Sequence, residues 1–388
     1  MIMKYDLGQN EKENWLVAET EFMPEYQGKC EAIFCTGNGY LGQCAALEER
    51  YVGQTRDLLV TGTFNRFAEN EVTELPNLPD VTNLEFYVDG VRFAMDEHNT
   101  SGYLRVLDLQ TGEVRRTLTW AHPDGRRFAL CFARFASMDN EHILGIKASI
   151  TALDGDAGIT VVSGIDGRVT SGGSQHFLDG DKRIFDNTIL RMSVRTNQSG
   201  VTCCLHSAHG YAINGESVQG KRMPIVDRRY MAMKAAFDVK AGQTLSVAKL
   251  TAVTTSRDLA YHGLDDTAEM ALKDGLEILR MAVNKGYDRL FEESCEKWAA
   301  LWKQADIKID SKRPFDQLLI RFALYHLNIM IKKDDSRVGI GAKGLTGEGY
   351  KGHSFWDTEI FILPYFIFTQ PKAARTLLEY RYRGLFGA

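Results

Sequence analysis

Leu144-Gly145-Ile146-Lys147-Ala148-Ser149-Ile150-Thr151 sets apolar side chains at the even positions and small or polar ones at the odd positions. Alternation with a period of two gathers one set on one side of an extended chain, so this stretch predicts a strand with a single buried face. The same texture extends outward over residues 30–255. Asp-Gly or Asn-Gly pairs punctuate it at Asn38-Gly39, Asp89-Gly90, Asp124-Gly125, Asp154-Gly155, Asp166-Gly167, Asp179-Gly180 and Asn214-Gly215, and such pairs supply the positive φ angles of tight hairpins. A hairpin turning at Asp89-Gly90 is expected within residues 84–95. A segment this long with no convincing helical run predicts a large antiparallel β-sandwich.

Near residue 260 the period changes. Asp266 and Glu269 have the spacing of a capping box, and Leu272, Leu276, Leu279 and Val283 follow at helical intervals. Gly286 stands where a left-handed C-terminal residue is expected. A second helix is predicted over residues 287–302, with Leu290, Trp298 and Leu301 on one face. After Pro314 the run 315–331 is apolar on nearly every side, which requires neighbours on more than one side. Only one further helix, residues 371–383, is predicted to supply them, so the third region reads as unfinished.

The chain has 388 residues, 44% hydrophobic and 25% charged, the usage of an ordinary globular protein. With 46 Lys and Arg against 51 Asp and Glu, the net charge of −5 offers no basic excess for a phosphate backbone, which argues against nucleic acid. The first thirty residues lack an apolar leader core, and the greasiest stretch, 360–368, is broken by Pro364 and too short to span a membrane. The seven cysteines include no CxxC pair and suit neither a zinc site nor a disulfide framework. Buried free thiols in a cytoplasmic, reducing setting are expected.

Chemistry concentrates in Lys343-Gly-Leu-Thr-Gly-Glu348-Gly-Tyr350-Lys351-Gly352-His353-Ser354-Phe355-Trp356-Asp357-Thr358-Glu359. Four glycines in ten residues let the backbone approach a ligand closely. An aromatic ring followed by a carboxylate suits a hexose: the ring stacks on the sugar's C–H face and the carboxylate accepts hydrogen bonds from its hydroxyls. The same residues admit a plainer reading, with Trp356 in the core, Asp357 capping the next helix and His353 an ordinary loop histidine. Gly37-Asn38-Gly39-Tyr40-Leu41-Gly42 lacks the GxGxxG spacing and reads as a turn. His206 and His209 lack a third metal ligand nearby and read as polar groups of a strand. The GxSxG elbow, the P-loop and the HExxH helix are all absent from the sequence.

Taken together, Gly37 to Gly42, the stretch Glu69-Asn-Glu-Val-Thr-Glu-Leu-Pro-Asn-Leu-Pro-Asp80, the segment ending at Trp356-Asp357-Thr358-Glu359, Leu363-Pro364 and Tyr380-Arg-Tyr-Arg383 resemble the inverting α-glucoside phosphorylases of glycoside hydrolase family 65. The resemblance runs from about residue 30 to the last residue. It implies a β-rich plus α fold: an N-terminal antiparallel β-super-sandwich (1–258), a helical linker (259–310) and the beginning of an incomplete (α/α)6 barrel (311–388). It implies cleavage of an α-linked glucobiose of kojibiose, nigerose or maltose type by inorganic phosphate, which is a substrate, with no cofactor and no metal. Trp356 and Asp357 match the family's glucosyl-binding residues, with His353, Lys343 and Glu359 in supporting roles. The family's general acid is expected beyond residue 388, so no catalytic residue is assigned and this chain alone is expected to be inactive. A homodimer, or a second chain completing the barrel, is an expected partner. Competing expectations are a non-catalytic carbohydrate-binding or scaffolding sandwich, and a hydrolase of glucoamylase type.

Overall fold

The computed structural model of the chain describes residues 3–96 and 98–387. Its N-terminal two-thirds is built from three sheets in which every pairing between strands is antiparallel. The largest has eleven strands. It runs from Met3–Lys4 at one edge through Leu16–Glu19, Thr100–Asp108, Glu113–Ala121, Arg127–Ala136 and Ile143–Ala152. It continues through Thr244–Thr255, Thr202–Ile213 and Ile189–Arg195 to Asp181–Phe185, with Glu216–Ser217 folded back as a hairpin. A five-stranded sheet, Lys221–Asp227, Tyr230–Val239, Ala157–Asp166, Leu84–Val88 and Val91–Arg92, lies across from it. Their facing side chains form two apolar clusters, one around Phe86, Trp120, Phe128 and Phe132, the other around Leu144, Ile165, Leu190 and Leu205.

The alternation at 144–151 holds: Leu144, Ile146, Ala148 and Ile150 are buried within Ile143–Ala152. Four of the seven Gly-containing pairs turn hairpins, at residues 38–39, 89–90, 124–125 and 214–215. The pairs at 154–155, 166–167 and 179–180 do not. Strands Ile143–Ala152 and Ala157–Asp166 belong to different sheets, so Asp154-Gly155 crosses between layers. Strand texture also begins earlier than residue 30, since Met3–Lys4 and Leu16–Glu19 edge the large sheet.

The helices are α1 (Gln27–Ile33), α2 (Thr267–Lys285), α3 (Tyr287–Ala305), α4 (Pro314–Ile329), α5 (Leu363–Thr369) and α6 (Pro371–Gly384). The α2 helix lies on the outer face of the large sheet, its Leu279 and Ala282 against Ala208, Leu250 and Ala252. Its buried stripe is Ala271, Gly275, Leu279 and Ala282, while Val283 faces outward. The capping box does not form. Asp266 adopts a left-handed backbone, φ 54°, and makes no side-chain cap bond, whereas an N-cap side chain works from extended backbone. Gly286 does have positive φ, 80°, but with ψ at 163° it is outside the helical left-handed region.

In α3, Leu290, Trp298 and Leu301 are buried as expected. Trp298, Trp302, Trp15 and Tyr325 form an aromatic stack that fastens α3 and α4 to the N-terminal strands, and Trp302 Nε1 donates to the Leu109 carbonyl at 3.1 Å. The expectation that α4 finds only one covering helix is corrected by the same cluster. Phe34 and Cys35 just after α1, together with α3, cover one side of α4. The Tyr365 hydroxyl of α5 meets Asn328 Nδ2 on the other at 2.9 Å. Phe315 and Leu319 of α4 stay exposed, and the larger uncovered apolar surface lies later, at Phe361, Phe368 and Tyr382. Five cysteines are buried, and all seven are free thiols. Among the described residues no helix is long and apolar enough to cross a membrane.

Candidate active site

The third sheet, Thr36–Gly37, Leu41–Gln43 and Leu58–Val60, positions the site. Its hairpin turn is the glycine-rich segment 37–42, and the turn reading is right, yet the glycines also serve a second purpose. A Cβ on Gly39 would lie 1.9 Å from the Ile331 carbonyl oxygen, and one on Gly42 would lie 2.2 Å from that of Leu345. The Gly39 amide donates to the Ile329 carbonyl at 2.8 Å. Only glycine permits this approach. The end of α4 and the start of the candidate loop are therefore seated directly on sandwich backbone.

The stretch 69–80 clamps the same loop from the other side. His353 Nε2 donates to the Thr73 carbonyl at 2.5 Å, which sets its tautomer, and the Leu75 amide donates to the Lys351 carbonyl at 3.0 Å. Lys351 Nζ lies 3.4 Å from Glu74, which also meets His176 Nε2 at 3.1 Å. Leu345 packs on Leu59 and Leu75. Between these anchors Tyr350 and Lys351 are left-handed, with φ of 59° and 55°. Two adjacent non-glycine residues in that region are costly and persist only where surroundings enforce them, a pattern that clusters at functional sites.

Beyond the clamp the chain presents the candidate side chains. Trp356 is 72% exposed and takes no part in the core of residues 3–387. Asp357 is half-buried and precedes a π-helical turn, Thr358–Ile362. Its carboxylate makes no cap bond and no ion pair among the described residues, so it does not serve as a helix cap either. Glu359 is engaged: Arg381 of α6 holds both its carboxylate oxygens, at 2.7 and 3.0 Å, and also donates to the Phe355 carbonyl. Lys343 is exposed and lays its stem along Gly349. Trp356 and Asp357 thus adjoin on an open surface, Glu359 is braced from α6, and His353 is tied back into the sandwich as a loop histidine.

Residues that sequence reasoning left unassigned complete the picture. Arg381 was visible within the Tyr380-Arg-Tyr-Arg383 stretch, though nothing local pointed to Glu359. Beneath the loop, Glu348 Oε2 accepts from the Gly172 amide at 2.9 Å, while its Oε1 is buried with no partner among the described residues. Burial raises the Glu348 carboxyl above its ordinary value, and Glu74 adds to this. Asp57 is pushed up to about 7, first by burial and then by the charges of Glu348 and Glu31. No motif marks Asp57. Among the described residues no three His, Cys, Asp or Glu side chains converge as a metal-ligand set. In strand Thr202–Ile213, His206 and His209 point to opposite faces, as an odd spacing demands.

Residues 17–301 match the model of the glycosyl hydrolase family 65 N-terminal domain, and residues 321–388 that of the family's central catalytic domain. The kojibiose phosphorylase of Halothermothrix orenii is 41% identical over 388 residues, all of this chain and 50% of that protein. The kojibiose phosphorylase of Escherichia coli K12 is 34% identical over 96% of this chain and 48% of its own length. A solved structure from the human microbiome, provisionally named a kojibiose phosphorylase, superposes with a TM-score of 0.85 at 20% identity, covering 99% of this chain and 50% of that one. The chain spans about half the length of the curated relatives it matches.

Proposed function

Because the chain belongs to glycosyl hydrolase family 65, we propose that it forms the sandwich (1–258), linker (259–310) and first barrel helices (311–388) of an inverting glycoside phosphorylase. Its substrates are an α-linked glucobiose and inorganic phosphate, and its products are β-glucose 1-phosphate and an acceptor sugar. One observation carries the reading: the exposed Trp356 indole stands beside an Asp357 carboxylate that no side chain or amide engages among the described residues. The indole stacks on the C–H face of the glucosyl ring, and Asp357 accepts hydrogen bonds from its hydroxyls. Orientation at this subsite brings the anomeric carbon into line for attack.

A phosphate oxygen forms the new bond to the anomeric carbon from the face opposite the glycosidic oxygen. The old C–O bond breaks, and a carboxylic acid protonates the departing oxygen. Phosphate is already a competent nucleophile, so the base that activates water in an inverting hydrolase has no counterpart here. None of the glutamates in the loop or its clamp suits the acid role. Glu359 is held by Arg381, Glu348 lies beneath the loop, and Glu74 faces His176 and Lys351. We assign the acid to polypeptide outside residues 1–388. The open apolar side chains Phe361, Phe368 and Tyr382 support further helices packing there. His353, Lys343 and Glu359 position the loop. The buried free thiols accord with a cytoplasmic setting.

The test is to incubate the full-length protein with kojibiose, nigerose, maltose or trehalose, with and without phosphate, and follow the anomeric protons by NMR. Phosphate-dependent β-glucose 1-phosphate supports the reading. Free glucose formed at equal rates without phosphate overturns it in favour of a hydrolase.

A further inference from the structure

Behind the clamp on the candidate loop lies a buried polar relay that the subsite's own chemistry does not use. Asn65, Glu74 and His176 are 0, 8 and 1% exposed. Asn65 and Glu74 exchange two backbone bonds, at 2.8 and 2.9 Å. The Asn65 carboxamide has only one workable orientation. Its Oδ1 accepts from the Gln198 and Ser199 amides at 3.1 and 3.0 Å, so its Nδ2 is the donor. That Nδ2 lies 2.7 Å from Asn197 Oδ1 and 2.9 Å from His176 Nδ1. His176 Nδ1 therefore accepts, the proton sits on Nε2, and Nε2 donates to Glu74 Oε1 at 3.1 Å. Burial keeps His176 below its ordinary value although Glu74 pulls it upward, which accords with a neutral ring in this tautomer.

The same Glu74 oxygen faces Lys351 Nζ at 3.4 Å. Lys351 is the second of the two left-handed residues of the loop. Its carbonyl accepts from the Leu75 amide, and its amide donates to the Glu348 carbonyl, both at 3.0 Å. Order therefore passes from Asn65 through His176 and Glu74 to the strained turn that precedes Trp356 and Asp357. The segment that carries His176 supports the loop a second time, through the Gly172 amide on Glu348 Oε2 at 2.9 Å. Ser171 Oγ fixes that segment by accepting from the Asn77 amide at 2.9 Å. An ion pair with a partly exposed lysine is weak when both side chains are free to move. Here His176 holds the carboxylate in place, so the pair with Lys351 has a defined geometry.

We propose that His176 is a positioning residue for the glucosyl subsite: its Nε2–H fixes Glu74, Glu74 holds Lys351 and the 350–351 turn, and the turn sets where Trp356 and Asp357 stand. The effect on turnover rests on the phosphorylase reading; the hold on the loop does not.

The experiment uses the full-length protein. His176→Asn keeps an acceptor for Asn65 but has no donor that reaches Glu74. His176→Gln keeps the donor to Glu74, while Asn65 Nδ2 retains Asn197 Oδ1. Hydrogen–deuterium exchange is followed in peptides covering 343–356 and in the rest of the sandwich, together with phosphorolysis of whichever of kojibiose, nigerose, maltose or trehalose the parent cleaves. In His176→Asn the loop is expected to exchange about tenfold faster, with the remaining sandwich unchanged. Its kcat/KM for the disaccharide is expected to fall at least about tenfold. His176→Gln should stay within about twofold of the parent in both readouts, a rescue that a merely structural role would not produce. Lys351→Met should match His176→Asn, and the double variant should be no worse than either. If His176→Asn does not fold, Glu74→Gln takes its place, since it keeps an acceptor for His176 and removes the charge facing Lys351. The proposal is overturned if loop exchange in His176→Asn equals the parent's, if His176→Gln loses as much, or if the effects of His176→Asn and Lys351→Met add. A parent that cleaves none of the four disaccharides overturns the phosphorylase reading instead, and loop exchange alone then decides the relay.

Discussion

Asp57→Asn should leave the fold intact and alter how stability depends on pH. Asp57 sits under the candidate loop, with a carboxylate oxygen 3.6 Å from where a Cβ on Gly347 would lie and the other 3.2 Å from Asn77 Nδ2. Burial, Glu348 and Glu31 push its carboxyl up to about 7, whereas an aspartate in an unfolded chain titrates near ~4. The folded state holds the proton more tightly. The stability this contributes is present below about pH 4 and is lost as pH rises through about 7. At ~1.4 kcal/mol per pH unit, the loss between pH 5 and pH 8 is about 2.5 kcal/mol. Asparagine does not ionise and still accepts from Asn77, so the variant escapes it. Urea unfolding of both proteins, followed by tryptophan fluorescence at pH 5, 6, 7 and 8, measures the gap while titrating groups remote from Asp57 cancel. The gap should widen in favour of the variant by about 2.5 kcal/mol from pH 5 to pH 8. A constant or narrowing gap would mean that Asp57 is ionised in the folded protein throughout, and the reasoning would fail.

Gly39→Ala forces a Cβ to within 1.9 Å of the Ile331 carbonyl at φ +88°, so its urea midpoint should fall by the equivalent of at least about 2 kcal/mol. Trp356→Ala should change stability by less than about 0.5 kcal/mol, the residue being exposed. Its kcat/KM for phosphorolysis in the full-length protein should drop at least about tenfold; normal activity would remove Trp356 from the sugar subsite. Glu359→Gln and Arg381→Met should each cost under about 1 kcal/mol of stability for this half-exposed pair. Both should impair turnover, and the double variant should be no worse than either single one, as expected when one interaction is lost. Burial pushes Cys30, Cys44 and Cys204 up to about 12, so a disulfide reagent at pH 8 should spare them in the folded protein and reach all seven thiols in urea.

The strand at 143–152 was legible because a strand buried on one face writes its pairing into every second residue. Turn dipeptides were legible only locally. Asp154-Gly155 sets a bend but carries no information on whether the next strand pairs or changes sheet. The capping box failed for a related reason, since two residue types at the right spacing do not determine the backbone angle at Asp266. The covering of α4 came from Phe34, Trp298 and Tyr365, brought there by contacts that no local pattern encodes. Within the site, the loop and its Trp356-Asp357 pair stood out as chemistry in a short span. The juxtaposition of Asp57 with Glu348 and the bracing of Glu359 by Arg381 exist only once distant segments have met.

The glycine hairpin at 36–43 has a bearing on synthesis. Its backbone is shaped to receive Ile329, Ile331 and Leu345, which leave the ribosome about 290 residues later, roughly 15–60 s at ~5–20 residues per second. For that interval the earliest-made sheet keeps one side open, and the sandwich cannot finish before the helical region begins to emerge. The two regions are therefore coupled in time as well as in space. A sandwich released early would carry an unfilled seam, the kind of surface on which nascent chains associate and chaperones act.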